Sequence, residues 1–271
     1  MNTSVTPEQI DHYQRDGYVV VEDFLSSGEL TDLIAAVTDA VEAIGSKRLA
    51  VEGNDDYEDV DSYYSKVFLQ RINLWKINKT IADCFRNPEL GRMLCRLAGV
   101  DGFRMWHDHT LQKLPWANPT SWHVDGPNWS FHSRDVLSVW IALDAATIQN
   151  GCMYFLPGTH KTAEFERNAG FGPQVGALFD VYPEWREIEA VPIELKAGSA
   201  SIHNGLLAHG AGPNMTPHSR RAMACIYMPD GSTFNGVENV LSKEQAARWK
   251  IGDVLDDEEI VPLVWRNKRE D

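Results

Sequence analysis

Six short runs between residues 102 and 229 constrain the fold more than any other feature of the chain. They read GFRMWHDHTLQKL, DVLSVWIAL, CMYFLPG, VPIEL, SASIHN and RRAMACIYMP, and Gly, Pro or Asn clusters separate them. Short strands punctuated by turns at this spacing fit a β-sandwich or a β-barrel. Ahead of them the pattern is helical. Thr6-Pro7-Glu8-Gln9 offers an N-cap, a proline at the first helical position and the Gln of a capping box, and Asp16-Gly17 ends that helix. The β-branched YVVVEDF follows as a strand. Ser26-Ser27-Gly28-Glu29 then opens a second helix, whose Leu30, Leu33, Ile34, Val37, Val41 and Ile44 share one face before Gly45 stops it. A further helix is expected from Pro88 to Leu97. The reading is one mainly β domain over residues 1–271, with N-terminal helices at about 6–45, the barrel core at about 102–230 and a C-terminal extension at 231–271.

Composition limits the function. With 43% hydrophobic and 24% charged residues, the 271-residue chain can bury a sizeable core. A net charge of −14 leaves no basic patch for nucleic acid or an anionic membrane, so a small-molecule substrate is expected, bound by a monomer or homodimer. Cys84, Cys95, Cys152 and Cys225 show no C-x-x-C spacing, which predicts reduced thiols and a cytoplasmic protein. The N-terminus lacks the basic and apolar regions of a signal peptide, and no apolar run reaches the roughly 18 residues of a membrane span. The irregular stretch 46–68 includes an acidic segment, 52–65, without the ligand spacing of a calcium loop; it reads as a solvated loop, with a lid as the functional alternative.

The chemistry is concentrated in SWHVDGPNWSF, residues 121–131. Side chains two apart on a strand share a face, so His123 and Asp125 can ligate one ion. A facial triad of two His and one carboxylate needs one more His, and His107, His109, His132, His160, His203, His209 and His218 are the candidates. His209 stands out by its context, HGAGPN, where it closes a strand before a turn. Arg220-Arg221 opens the return strand of the expected hairpin and brings a guanidinium back beside the metal. There it can grip the far carboxylate of a dicarboxylate bidentately. His203 is the main rival, expected instead to be a supporting or core histidine. Arg221 must face the other side of its strand. Trp116, Trp122 and Trp129 flank the motif, as substrate walls or as packing.

Taken together, DGYVVVEDFLSSGEL, SWHVDG, VWIALDAATIQNGCMYFLPGTH and HGAGPN followed by Arg220 resemble the phytanoyl-CoA dioxygenase family of Fe(II)/2-oxoglutarate-dependent oxygenases, over most of the chain. The resemblance implies a double-stranded β-helix, a cupin-like jelly roll. It implies His123, Asp125 and His209 as iron ligands and Arg220, eleven positions after His209, as the 2-oxoglutarate arginine. Trp140 matches an aromatic lining the co-substrate pocket. His109 stands where the family often has a co-substrate contact, commonly Met, and Arg71 falls near a family lysine that touches it. The implied reaction consumes 2-oxoglutarate and O2, with ascorbate as a candidate reductant, releases succinate and CO2, and hydroxylates an unactivated C–H. Related halogenases have Gly or Ala in place of Asp125, so the aspartate favours hydroxylation, while desaturation, ring closure and epoxidation stay open. Two alternatives use the same residues: a metal-dependent isomerase or hydrolase of cupin type, and a catalytically silent binder.

Overall fold

The computed structural model describes residues 1–45 and 66–267. The acidic 52–65 segment, the candidate lid, lies outside the described residues.

Both N-terminal helices begin and end where their caps stand. Helix α1 (Pro7–Asp16) has the reciprocal Thr6–Gln9 capping box and stops at Gly17, whose φ of 85° is the left-handed conformation that a Cβ disfavours. Strand β1 (Tyr18–Val21) follows, then α2 (Ser27–Ile44), capped by Ser26 and Glu29. After the undescribed segment come β2 (Leu69–Ile72), α3 (Lys79–Phe85) and α4 (Pro88–Ala98). The β region runs β3 (Gly102–Lys113), β4 (Thr120–His123), β5 (Leu137–Ala142) and β6 (Met153–Phe155). It continues through a short α5 (Leu178–Val181) to β7 (Val191–Ile193), β8 (Ala200–Asn204), β9 (His209–Ala211) and β10 (Arg220–Pro229). A short α6 (Lys243–Ala246) precedes β11 (Leu263–Arg266), which pairs with one end of β3.

The strands form two antiparallel sheets. The larger has the order β1-β8-β5-β10-β3-β11, with β2 also on β3; the smaller has the order β4-β9-β6-β7. Every residue of β5 is buried, because this sheet is covered on both faces. Parity sorts the side chains. From β5, β8 and β10, Leu137, Val139, Ile141, Ile202, Met223, Cys225 and Tyr227 turn outward into a core with the four N-terminal helices. Trp140, Ala142, Ala222 and Ala224 turn inward and meet Met153, Phe155 and Ile193 of the smaller sheet. The mainly β, jelly-roll reading therefore holds, as two facing sheets rather than one continuously hydrogen-bonded barrel.

Candidate metal and co-substrate site

Adjacent strands of the smaller sheet deliver the two histidines. His123, the last residue of β4, lies directly opposite His209, the first residue of β9, and their ring centroids are 4.1 Å apart. Each Nδ1 sits against a backbone carbonyl two residues back: His123 against Ser121 at 2.8 Å and His209 against Leu207 at 2.9 Å. A carbonyl only accepts, so both Nδ1 atoms carry the proton and both Nε2 lone pairs are left for a ligand. Those Nε2 atoms converge on Asp125, at 3.5 Å from Oδ1 for His123 and 3.8 Å from Oδ2 for His209. The three ligand atoms lie within 4.8 Å of one another. Ligand atoms this close can serve one shared metal ion.

Asp125 reaches this point by a route different from the strand expected for it. β4 ends at His123, and Asp125 has helical dihedrals, φ −80° and ψ −42°. The backbone N–H groups of Asp125 and Gly126 both donate to the Gly205 carbonyl, at 3.0 and 2.8 Å, and this turn aims the carboxylate back at the histidines. Likewise, His209 opens a strand instead of closing one. Residues 212–219 then cross from the smaller sheet to the larger, so β9 and β10 are not partners in a hairpin. Arg220 arrives beside the site from the facing sheet.

Electrostatics suit the cluster to a cation. Burial, reinforced by neighbouring His123, pushes His209 down to about 3, which keeps the ring neutral. Burial opposes ionisation of Asp125, but the neighbouring His209, His123 and His203 outweigh it and hold the carboxyl well below the usual range. Two imidazoles and a carboxylate form the donor set of a 2-His-1-carboxylate centre.

The cluster sits in a cleft of about 650 Å³, open mouth included, which also takes in Trp140, His109, His203, Gln70 and Arg220. Arg220 is 3% exposed and its guanidinium lies 5.2 Å from the Trp140 ring centroid. It donates to the carbonyls of Gly151 at 2.9 Å and Leu111 at 3.4 Å, while its buried Nε has no partner. Burial lowers its pKa to about 10. Arg221 faces away and pairs with Asp144. Ala224, four positions along β10 from Arg220 and on the same face, also lines the cleft.

His109 lines the cleft with its Nδ1 3.0 Å from Gln70 Nε2. Arg71 does not line it: its Nε and Nη2 donate to the Gly45 carbonyl at 2.9 and 2.7 Å. The pairing of β2 with β3 explains this. Gln70 and Ile72 lie opposite Leu111 and His109, which face the cleft, whereas Arg71 lies opposite Thr110 and takes the other parity. Gln70 is the residue that sequence reasoning missed, and strand alternation was the signal that could have found it. His203 is buried beside His209, with ring centroids 4.9 Å apart, but stands outside the ligand cluster. Trp116 is solvent-exposed, Trp122 packs near Phe179 and Trp129 stacks on Phe131; none of the three lines the cleft.

The family model for phytanoyl-CoA dioxygenase (PhyH) matches residues 13–222. The chain belongs to the phytanoyl-CoA dioxygenase family. Among relatives in this family, it is 25% identical to a phytanoyl-CoA dioxygenase of Arabidopsis thaliana, over 81% of this chain and 87% of the other. It is also 25% identical to an ectoine dioxygenase of Nocardia farcinica, over 90% and 82%. Among solved structures it is similar to the non-haem α-ketoglutarate-dependent carbocyclase SnoK of nogalamycin biosynthesis, with a TM-score of 0.78, 25% identity and 96% of each chain covered. The fold is shared with the epimerase SnoN, solved with Fe3+, α-ketoglutarate and nogalamycin RO, at a TM-score of 0.78, 23% identity and coverage of 95% and 97%.

Proposed function

We propose that this protein is a non-haem Fe(II)/2-oxoglutarate-dependent dioxygenase that oxidises a C–H bond of a small-molecule metabolite, with hydroxylation as the outcome. His123, Asp125 and His209 hold the iron. Arg220 holds the distal carboxylate of 2-oxoglutarate over Trp140, and His109 flanks the co-substrate. The observation that carries the reading is the pairing of two features in one cleft: a His/carboxylate/His cluster, and a buried arginine with a spare donor and, among the described residues, no acid of its own. A cupin-type isomerase or hydrolase would have use for the first feature but none for the second.

When bound, iron(II) and 2-oxoglutarate supply the oxidising chemistry, converting O2 and the co-substrate to succinate and CO2 as the substrate is oxidised. The chain's own groups do the rest. Ser121 and Leu207 carbonyls fix both imidazole tautomers, so no proton has to leave either ring before metal binds. Asp125 would be the carboxylate ligand of the metal, at the position where related halogenases have Gly or Ala, which favours hydroxylation. Arg220 sets which end of the co-substrate faces the metal. Phe171, with its ring centroid 4.5 Å from that of His123, Phe68, Leu111 and Met153 give the cleft an apolar wall that excludes water and suits an apolar portion of the substrate.

Among the described residues no helix is long and apolar enough to cross a membrane, and all four cysteines are free thiols, which supports a reducing, cytoplasmic setting. O2 is the second co-substrate and ascorbate the external reductant. The test is succinate release across a metabolite panel. Turnover should require Fe(II) and 2-oxoglutarate together and should yield a product heavier by one oxygen. Substrate conversion that proceeds without 2-oxoglutarate would replace this reading with the isomerase or hydrolase alternative.

A further inference from the structure

The inner face of the larger sheet carries a second cation that the proposed function does not use. Lys113 of β3 lies directly opposite Arg220 of β10, so the two side chains leave the sheet on the same face. Lys113 is 0% exposed and Arg220 is 3% exposed. A buried ammonium here would lose its hydration and meet the like charge of Arg220, which disfavours protonation of the lysine.

Among the described residues no carboxylate relieves them. Lys113 Nζ donates to the Asn118 carbonyl at 2.6 Å, and Arg220 donates to the Leu111 and Gly151 carbonyls, so every acceptor is neutral. The nearest acid, Asp144, is held by Arg221 through Nε and Nη2 at 2.9 and 2.8 Å. The lysine stem runs against the Gly151 backbone, where a Cβ would lie 2.7 Å from the lysine Cδ. Among the described residues nothing anionic at neutral pH faces the amine.

We propose that Lys113 is a positioning residue of the co-substrate subsite: with Arg220 it forms a two-cation anchor that is completed when the distal carboxylate of 2-oxoglutarate arrives. This rests on the 2-oxoglutarate reading above. Lys113 acts through Arg220 and the local field, since its ammonium does not line the cleft. Burial, then the charge of Arg220, pushes the amine down to about 7, so in the empty protein above that pH it is largely the neutral amine. An incoming anion favours the ammonium. The Nζ lone pair then takes one proton from the buffer, forming an N–H bond, and co-substrate binding is coupled to proton uptake.

Calorimetry measures this directly. 2-Oxoglutarate is titrated anaerobically into Mn(II)-loaded protein at pH 8, in buffers of differing ionisation enthalpy, for wild type, Lys113→Arg and Lys113→Met. Wild type should take up about one proton per 2-oxoglutarate, and its Kd should weaken as pH rises from 7 to 8.5. Lys113→Arg, always charged, should bind with little uptake and a flatter pH profile. Lys113→Met, which keeps the length of the side chain without its charge, should also take up none and bind roughly tenfold more weakly at pH 7, about 1.4 kcal/mol. Equal uptake by all three proteins, or binding by wild type without uptake, overturns the role of Lys113 and leaves the dioxygenase reading intact. Failure of wild type to bind 2-oxoglutarate at all removes both.

Discussion

Replacing Arg220 by Met should separate function from stability in opposite directions. The guanidinium is buried, and its pKa is lowered to about 10 by that burial, so keeping it charged in the folded state costs about 3 kcal/mol. Met removes this cost. It also removes donors from the Gly151 and Leu111 carbonyls, at about 1 kcal/mol net each, and the contact with Trp140, at about 1 kcal/mol. The sum is close to zero. The variant should unfold within a few degrees of wild type when no co-substrate is present. Its affinity for 2-oxoglutarate should collapse, because a charge-assisted, bidentate carboxylate contact is worth about 3 kcal/mol, or on the order of a hundredfold in Kd. Thermal unfolding of the apoprotein and anaerobic calorimetry of the Mn(II) form read the two quantities independently. A variant that melts far below wild type yet binds 2-oxoglutarate with unchanged affinity would show that Arg220 braces the sheet and holds no co-substrate.

Further expectations are smaller in scope. Asp125→Ala should abolish hydroxylation while leaving Arg220 and its subsite in place; undiminished product formation in a coupled mass-spectrometric assay would remove Asp125 from the ligand set. Burial lowers His203 to about 4 and His209 to about 3, so the unfolded chain binds more protons than the folded one below the ordinary histidine value. Apoprotein stability should therefore be complete above about pH 6.5 and fall as the pH drops toward 4, by roughly 3 kcal/mol for His203 alone. Urea midpoints across that window should show it, and His203→Gln should flatten the slope. Gly17→Ala should destabilise by about 2 kcal/mol or more. It places a Cβ at a φ of 85° and 2.5 Å from the His160 ring, and an unchanged urea midpoint would contradict the packing of α1 against that ring.

Different physical signals made different parts of this molecule legible. α1 and α2 begin at Thr6 and Ser26 and end at Gly17 and Gly45 because capping is local chemistry written in neighbouring residues. The six long or apolar strands appear as read, from Gly102–Lys113 through Arg220–Pro229. Strands are expected around His123 and His209, but their ends and register come from tertiary pairing, so β4 stops at His123 and β9 starts at His209. For this reason His123 and Asp125 share a centre through a turn held by the Gly205 carbonyl, although periodicity suggested a shared strand face. The hairpin expected between His209 and Arg220 fails for a similar reason, since residues 212–219 cross between sheets and nothing local marks such a crossing. Arg71 and Gln70 differ by one position, and only the pairing of β2 with β3 decides which of them faces the cleft. Lys113 escaped notice because its interest lies in its partner across the sheet, 107 positions away in sequence.

The central claim is that one cleft assembles iron and 2-oxoglutarate on His123, Asp125, His209 and Arg220. Anaerobic addition of Fe(II) and 2-oxoglutarate to the purified protein tests it most directly, through the weak visible charge-transfer band of the chelated keto acid. The band should appear with wild type, vanish with His209→Ala, and require much higher 2-oxoglutarate with Arg220→Met. A wild-type protein that binds Fe(II) and shows no band at saturating 2-oxoglutarate would contradict the assignment.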